Sequence, residues 1–347
     1  MRKEGHSISW HQNGSKASEG MFKDGKREGL WTYWYENGQK EAEENYINDQ
    51  MEGLWTEWYD NGNKKSEGNT KNNLREGFWT FWNESGLIQA EGNFRADKEE
   101  GLWSFWDENG QKESEGHFEE GKKTGFWTFW DENEYLEAEG HFKDDKKEGV
   151  FVIWHENGNK KAQEYWKNDK MEGFWTSWYA EGQKETEGSY KAGKAEGLSI
   201  IWHQNGHKEA EGYFKADKKE GLWTFWYANG QKESEGHFNE DQEEGLWTYW
   251  YENGNKESEG ELRNGGREGI FVIWHENGNK ESEGRFHNDQ AEGFWMYWHE
   301  NGNVESEGCF KAGKKIGEWT FWDTSGKKKS RGAFLQGKKV GKWKNYR

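Results

Sequence analysis

Flat indole faces at a fixed spacing can stack on sugar rings, nucleobases or peptide side chains, and this chain repeats them. Glycine recurs every 24 residues from Gly5 to Gly341, and counting each repeat from that glycine as offset 0 puts tryptophan at offset 5 in all fourteen complete repeats. The candidate ladder is Trp34, Trp58, Trp82, Trp106, Trp130, Trp154, Trp178, Trp202, Trp226, Trp250, Trp274 and Trp298, with Trp10 and Trp322 at its ends. Offset 2 holds eleven more of the 26 tryptophans, and only Trp166 lies outside both columns. On a sheet, successive rungs would stand about 10 Å apart, a spacing that a polysaccharide can match.

Carboxylates form columns too, at offset 14 (Glu19, Glu43, Glu67, Glu91, Glu115, Glu139) and offset 23 (Glu28, Glu52, Glu76, Glu100). Repeated along a sheet they define no unique cleft for acid–base work, so the bland reading is a solvated face and the sharper one a dock for a basic partner. Histidines at offset 6 (His11, His155, His203, His275, His299) and offset 16 (His117, His141, His237) are scattered through variable columns, whereas a metal needs convergent ligands. Cys309 is the single cysteine and can form neither an internal disulfide nor a thiolate cluster. No Walker loop, GxSxG, HExxH or CxxC occurs. We expect no enzymatic activity and no cofactor.

The elements that carry these columns follow from one unit, residues 221–244. Gly221 to Tyr227 is aromatic and Thr-containing, which favours a strand. Asn229-Gly230 is a hairpin signal, Gln231 to Phe238 reads as the return strand, and a second turn falls near Glu240-Asp241. Glycines at offsets 0, 9 and 15 argue against helix. The expected fold is all-β, a continuous antiparallel meander of about 29 strands built from 24-residue hairpins. A two-residue Asn-Gly loop pairs offsets that sum to 17, so that Trp at offset 2 faces Gly at 15 and Trp at offset 5 faces offset 12. A two-residue second turn pairs offsets that sum to 39. One face then gathers offsets 0, 2, 4, 6, 13, 15 and 17, where rings lie over small residues; the other gathers offsets 1, 3, 5, 12 and 14 and is expected to be outer and wet. The two rules shift the register by two residues per repeat, which predicts strands inclined by roughly 35° in a twisted, coiled sheet about 140 Å long if open.

Composition bounds the rest. Only 31% of residues are hydrophobic, 33% are charged and proline is absent, yet 17% are aromatic, which excludes a disordered chain. No apolar run is long enough to span a bilayer, and MRKEGHSISWHQNG has no apolar signal core, so a reducing cytoplasm is expected. Net charge is −18, which disfavours nucleic acid and anionic lipid. Residues 311–347 carry +10 and the preceding 310 residues −28. The basic end reads as a cap that blunts the last sheet edge, or as a binder of the acidic flank of another copy. The whole chain, 1–347, reads as one repeat domain. Ser7 and Ser199 stand where offset 2 is otherwise aromatic, and the shared FVIWHENGNK of repeats 149–172 and 269–292, 120 residues apart, points to duplication of a five-repeat block.

The pattern G-x-W-x-x-W-x-x-N-G-x-x-x-x-E-G-x-F, clear in residues 245–268 and 29–52, resembles the MORN repeat in its bacterial variant form. The resemblance covers Gly5 to Arg347, with tryptophan at offset 5 where the family more often has tyrosine. Many bacterial proteins of this variant are YwqK-type antitoxins paired with secreted toxins, and other arrays are protein-binding or membrane-proximal scaffolds. The resemblance therefore implies a non-enzymatic scaffold for a protein partner, such as a basic toxin. A glycan-binding protein using the offset-5 ladder and a self-assembling structural protein are the alternatives.

Overall fold

The computed structural model describes residues 3–346. Met1, Arg2 and Arg347 lie outside them, including the first residues of the amino-terminal segment and the last of the basic end. Among the described residues there is no helix; the strands pair antiparallel with their neighbours in the chain. The described residues form 31 strands, two of them created where a strand is interrupted, at Lys170–Met171 before Gly173–Trp178 and at Lys194–Ala195 before Gly197–Trp202. The chain divides into two compact units, one ending at Lys170 and one beginning at Met171, and each is a meander of the same hairpin.

Within a hairpin the expected faces are present, but the loop is different. Trp223 pairs with Gly236 and Phe225 with Ser234, the offsets summing to 17 as expected, whereas Trp226 pairs with Lys232 across a bulge. The loop runs from Tyr227 to Gln231, closed by Tyr227 N–H donating to Gln231 O and Gly230 N–H to Tyr227 O. Gly230 alone in it has positive φ, +85°. This is a type I turn ended by a left-handed glycine, not the two-residue loop expected from Asn-Gly. The bulged residue, offset 12, restores the sum. It leaves offset 5 opposite offset 11 and puts offset 12 on the ring-bearing face, where Lys65 pairs with Glu57 at 2.8 Å and Glu185 accepts from Ser177 at 3.0 Å. The assignment of offset 12 to the outer face is thereby corrected.

The second turn is a two-residue loop as expected. Both its residues have positive φ, as at Asp24 (53°) and Gly25 (82°), the type I′ geometry that matches strand twist. Pairs beside it sum to 39 (Phe238 with Glu243), but beyond a second bulge the sum becomes 41 (Ser234 with Tyr249). The bulge consumes the repeat-marking glycine and its successor. Gly245 sits there at φ +73°, as its counterparts do in every repeat, which is why this column admits only glycine. Two extra residues keep the side-chain alternation and cancel the two-residue shift, so each column meets itself one repeat later. The inclination of roughly 35° deduced from a net shift has no basis in this register.

The core is the ring-bearing face. Trp127, Trp223, Trp247 and Trp319 of offset 2 are at most 1% exposed. Each indole lies flat over the offset-15 glycine of the preceding repeat, where a Cβ on Gly116 would stand 2.1 Å from Trp127 Cδ2. Its Nε1 donates to a carbonyl, as Trp127 does to His117 O at 3.2 Å, and phenylalanines at offset 17 meet it edge-on, as Phe118 does at 5.1 Å. In several repeats a cation at offset 22 stands over the ring, Lys123 at 4.3 Å from Trp127, and burial pulls the Lys123 and Lys315 ammonium groups below their usual range.

Candidate functional site

The opposite face carries the expected ladder, and its tryptophans are not free plates. All twelve from Trp34 to Trp298 are half-buried; Trp10 is 61% exposed. In most repeats the lysine at offset 11 of the preceding repeat stands over the ring, as Lys16 does over Trp34 at 4.8 Å, Lys232 over Trp250 at 5.5 Å and Lys280 over Trp298 at 5.7 Å; Ile88 and Leu136 take that offset before Trp106 and Trp154. The same lysine pairs with the offset-14 glutamate, Lys232 with Glu235 at 2.6 Å and Lys256 with Glu259 at 2.5 Å. Hydrogen bonds from lysine, joined by one from a threonine hydroxyl, hold the Glu235 and Glu259 carboxyls below the usual carboxylate range. Glu, Lys and Trp thus form a repeated triplet in which one indole face is already covered.

The acidic columns are bound internally as well. In most repeats the offset-14 carboxylates take these lysines; Glu91 and Glu139 do not, because Ile88 and Leu136 stand at offset 11. Those at offset 23 accept backbone amides of the next second turn, Glu28 from Asn48 N–H at 3.0 Å and Glu244 from Asn264 N–H at 3.0 Å. Offset-6 histidines replace tyrosine in one structural contact: Tyr227 Oη donates to Trp250 O at 2.8 Å, and His275 Nε2 lies 2.9 Å from Trp298 O. A carbonyl accepts only, so Nε2 of such a histidine carries the proton. The loop asparagines complete the ladder between hairpin loops, Asn229 Nδ2 donating to Glu252 O at 2.8 Å. Among the described residues no group of three or more His, Cys, Asp or Glu is placed to hold a metal ion.

The exposed element that sequence reasoning passed over is offset 1. In the first unit Leu30, Leu54, Phe78, Leu102 and Phe126 are 45–53% exposed, and in the second Leu222, Leu246, Ile270 and Phe294 are 48–64% exposed. The signal was there, an apolar residue in every repeat from Leu30 to Phe294, but it was read as part of a wet face. A groove of about 370 Å³ lies in this column, lined by Ile270, Phe294, Met296 and Trp298 with Glu283 and Arg285. The column stops at repeat 317–340, where Glu318 replaces the apolar residue and pairs with Arg331, itself in place of the offset-14 glutamate.

Geometry of this kind, a hairpin array with one packed face and one patterned face, defines a repeat scaffold. The MORN repeat variant model matches residues 3–24, 27–48, 51–72, 99–120, 147–168, 219–240, 243–264, 267–288 and 292–312. These segments make up more than half of the sequence, and the chain belongs to the MORN repeat variant family. No curated protein matches it. Among solved structures it is similar to chains of the TcdB2-TccC3-Cdc42 crystal structure (9% identity, 96% of this chain and 26% of that chain, TM-score 0.18). It is also similar to the TcdB2-TccC3-TEV structure (9%, 99% and 25%, 0.19) and to the Photorhabdus luminescens Tc holotoxin pore (8%, 95% and 23%, 0.19). The chain spans about a quarter of the length of these solved chains. No helix of the described residues is long and apolar enough to cross a membrane.

Proposed function

We propose that the chain is a non-catalytic scaffold that binds a protein partner along its outer face, with an antitoxin or immunity role as the specific form. The observation that carries this is the offset-1 column, since solvent-facing leucine, isoleucine and phenylalanine in successive repeats are costly to leave bare and typify interaction surfaces. The ladder tryptophans border that column and add aromatic area. The net charge of −18 favours a basic partner through long-range steering, even though the two glutamate columns are engaged internally. The test is affinity capture with the full chain against a variant carrying Leu222→Lys, Leu246→Lys, Ile270→Lys and Phe294→Lys. A basic protein held by the native chain, weakened by salt and lost to the variant supports the proposal. Identical capture by both chains, or recovery of the bait alone, overturns it.

A further inference from the structure

One repeat of the first unit breaks the outer-face triplet of glutamate, lysine and tryptophan. One repeat earlier the triplet is intact: Lys112 pairs with Glu115 and stands 5.1 Å from the centre of the Trp130 ring. In residues 125–148 Leu136 takes the place of that lysine, while Glu139 and Trp154 keep theirs. Among the described residues Glu139 makes no hydrogen bond or ion pair, and no cation stands over the Trp154 ring. A groove of about 250 Å³ opens at this point, lined by Tyr135, Leu136, Trp154 and the loop from His155 to Gly158. The loop before it is altered as well. Glu134 is the one residue other than glycine at offset 9 and holds φ +63°, a left-handed conformation that glycine adopts freely and glutamate does not. Tyr135, next to it, is 53% exposed.

The group missing here is an ammonium. In an intact triplet the lysine nitrogen meets a carboxylate and an indole face at once, as Lys232 does at 2.6 Å from Glu235 and 5.5 Å from the Trp250 ring. A leucine side chain ends two bonds beyond Cβ and a lysine nitrogen lies four bonds beyond it. Leu136 therefore supplies the apolar stem of that arrangement and leaves the place of the charge unfilled. What remains is a half-buried carboxylate, an indole with no cation over it, an exposed phenol ring and a groove beside them, with Glu156 adding a second negative charge to the lining. Both the aromatic faces and the uncompensated carboxylate attract a cation; a neutral apolar chain gains neither attraction, and an anion is repelled.

We propose that this groove takes a lysine side chain of a partner protein, its ammonium lying between the Glu139 carboxylate and the Trp154 ring, where the chain's own lysine stands in intact repeats. This contact rests on the outer face being the surface for a basic partner, as proposed above, and lies in the first unit, away from the offset-1 residues changed in the capture variant. Its test needs no partner, so failure here and failure of the capture experiment are distinguishable. The full chain is labelled with 5-fluorotryptophan, the Trp154 fluorine resonance is assigned by its loss in Trp154→Phe, and Nα-acetyl-lysine N-methylamide is titrated in. The Trp154 resonance should shift to saturation, and the affinity should fall roughly tenfold in Glu139→Gln. Leu136→Lys restores the repeat consensus and so keeps the fold; it should abolish the shift by filling the site from within. Nα-acetyl-norleucine N-methylamide, which has the same four-carbon side chain without the ammonium, should leave the resonance in place. No shift with the lysine ligand, an equal shift with the norleucine ligand, or an unchanged titration in Glu139→Gln or Leu136→Lys overturns the assignment.

Discussion

The same substitution in adjacent repeats should have opposite effects. Gly188 and Gly212 occupy the same column, both in extended backbone without positive φ. At Gly212 a Cβ would sit 2.1 Å from Trp223 Cδ2, well inside the roughly 3.5–4.0 Å of ordinary carbon contact, so the ring would have to retreat by more than ~1 Å. Trp223 is fully buried and has no slack. Overpacking of that kind costs about 1–3 kcal/mol, and loss of the indole bond to Tyr213 O adds about 1 kcal/mol. Removing a strand glycine returns about 0.5–1 kcal/mol. Gly212→Ala should therefore destabilise its repeat by about 2 kcal/mol. At Gly188 a Cβ would meet Ser199 Oγ at 3.4 Å and no ring, so Gly188→Ala keeps only the gain, about 0.5–1 kcal/mol. The chain carries its own precedent. Glu44 and Glu164 replace the glycine of this column; the following tryptophans, Trp55 and Trp175, are only half-buried, and Trp55 Nε1 is left without a partner. Repeat arrays do not unfold as one unit, so the assay is native-state hydrogen exchange resolved by repeat, with thermal midpoints alongside. Shifts of equal sign and size at the two sites would refute the packing account.

Two further outcomes follow from the ring-bearing face. Burial pushes the Tyr249 and Tyr297 hydroxyls up to about 12, so both are neutral in the fold and would ionise near their usual ~10 when unfolded. Folded pKa values that are raised contribute stability below about pH 10, and that stability is lost as pH climbs toward 12; absorbance at 295 nm should place both groups late, and Tyr249→Phe should flatten the alkaline loss, whereas ionisation with the exposed tyrosines would contradict it. Trp166 Nε1 donates to Glu164 at 2.8 Å, so Trp166→Phe alone should cost about 1–2 kcal/mol. The cost should fall to near zero in a Glu164→Gly background, and a double-mutant cycle with no coupling would contradict the pairing.

Much of the fold was legible because period and alternation survive one sequence. The 24-residue glycine fixed the unit, and alternation put Trp223 and Phe225 on one face and Leu222 on the other. The bulges were not legible. Nothing about Glu233 announces an unpaired residue, and a five-residue loop plus one bulge gives the same sum of 17 as a two-residue loop, so the right register came from the wrong turn. Gly245 was visible as a column but not as a left-handed bulge, and overlooking it produced a shift that the structure cancels. On the outer face, aromatic chemistry drew attention to Trp226, while side-chain reach decided otherwise: a lysine tied to a glutamate covers the indole, and the plainer Leu222 stays bare. Trp166 and Glu164, each an exception to its own column, make sense only when seen as a pair.

Because the second bulge cancels the register shift, advancing 24 residues returns every pairing rule to its starting value. Each repeat is then an interchangeable tile. A tandem duplication of whole repeats, such as that of the five-repeat block to which the likeness of repeats 149–172 and 269–292, 120 residues apart, points, creates only junctions of a kind the chain already contains. A gain or loss of two residues would instead misalign the columns across the junction where it falls, moving the indole there off its glycine. Arrays of this family can therefore lengthen or shorten by whole units without redesign, and a defect such as Ser199 can persist in one tile while its neighbours stay intact.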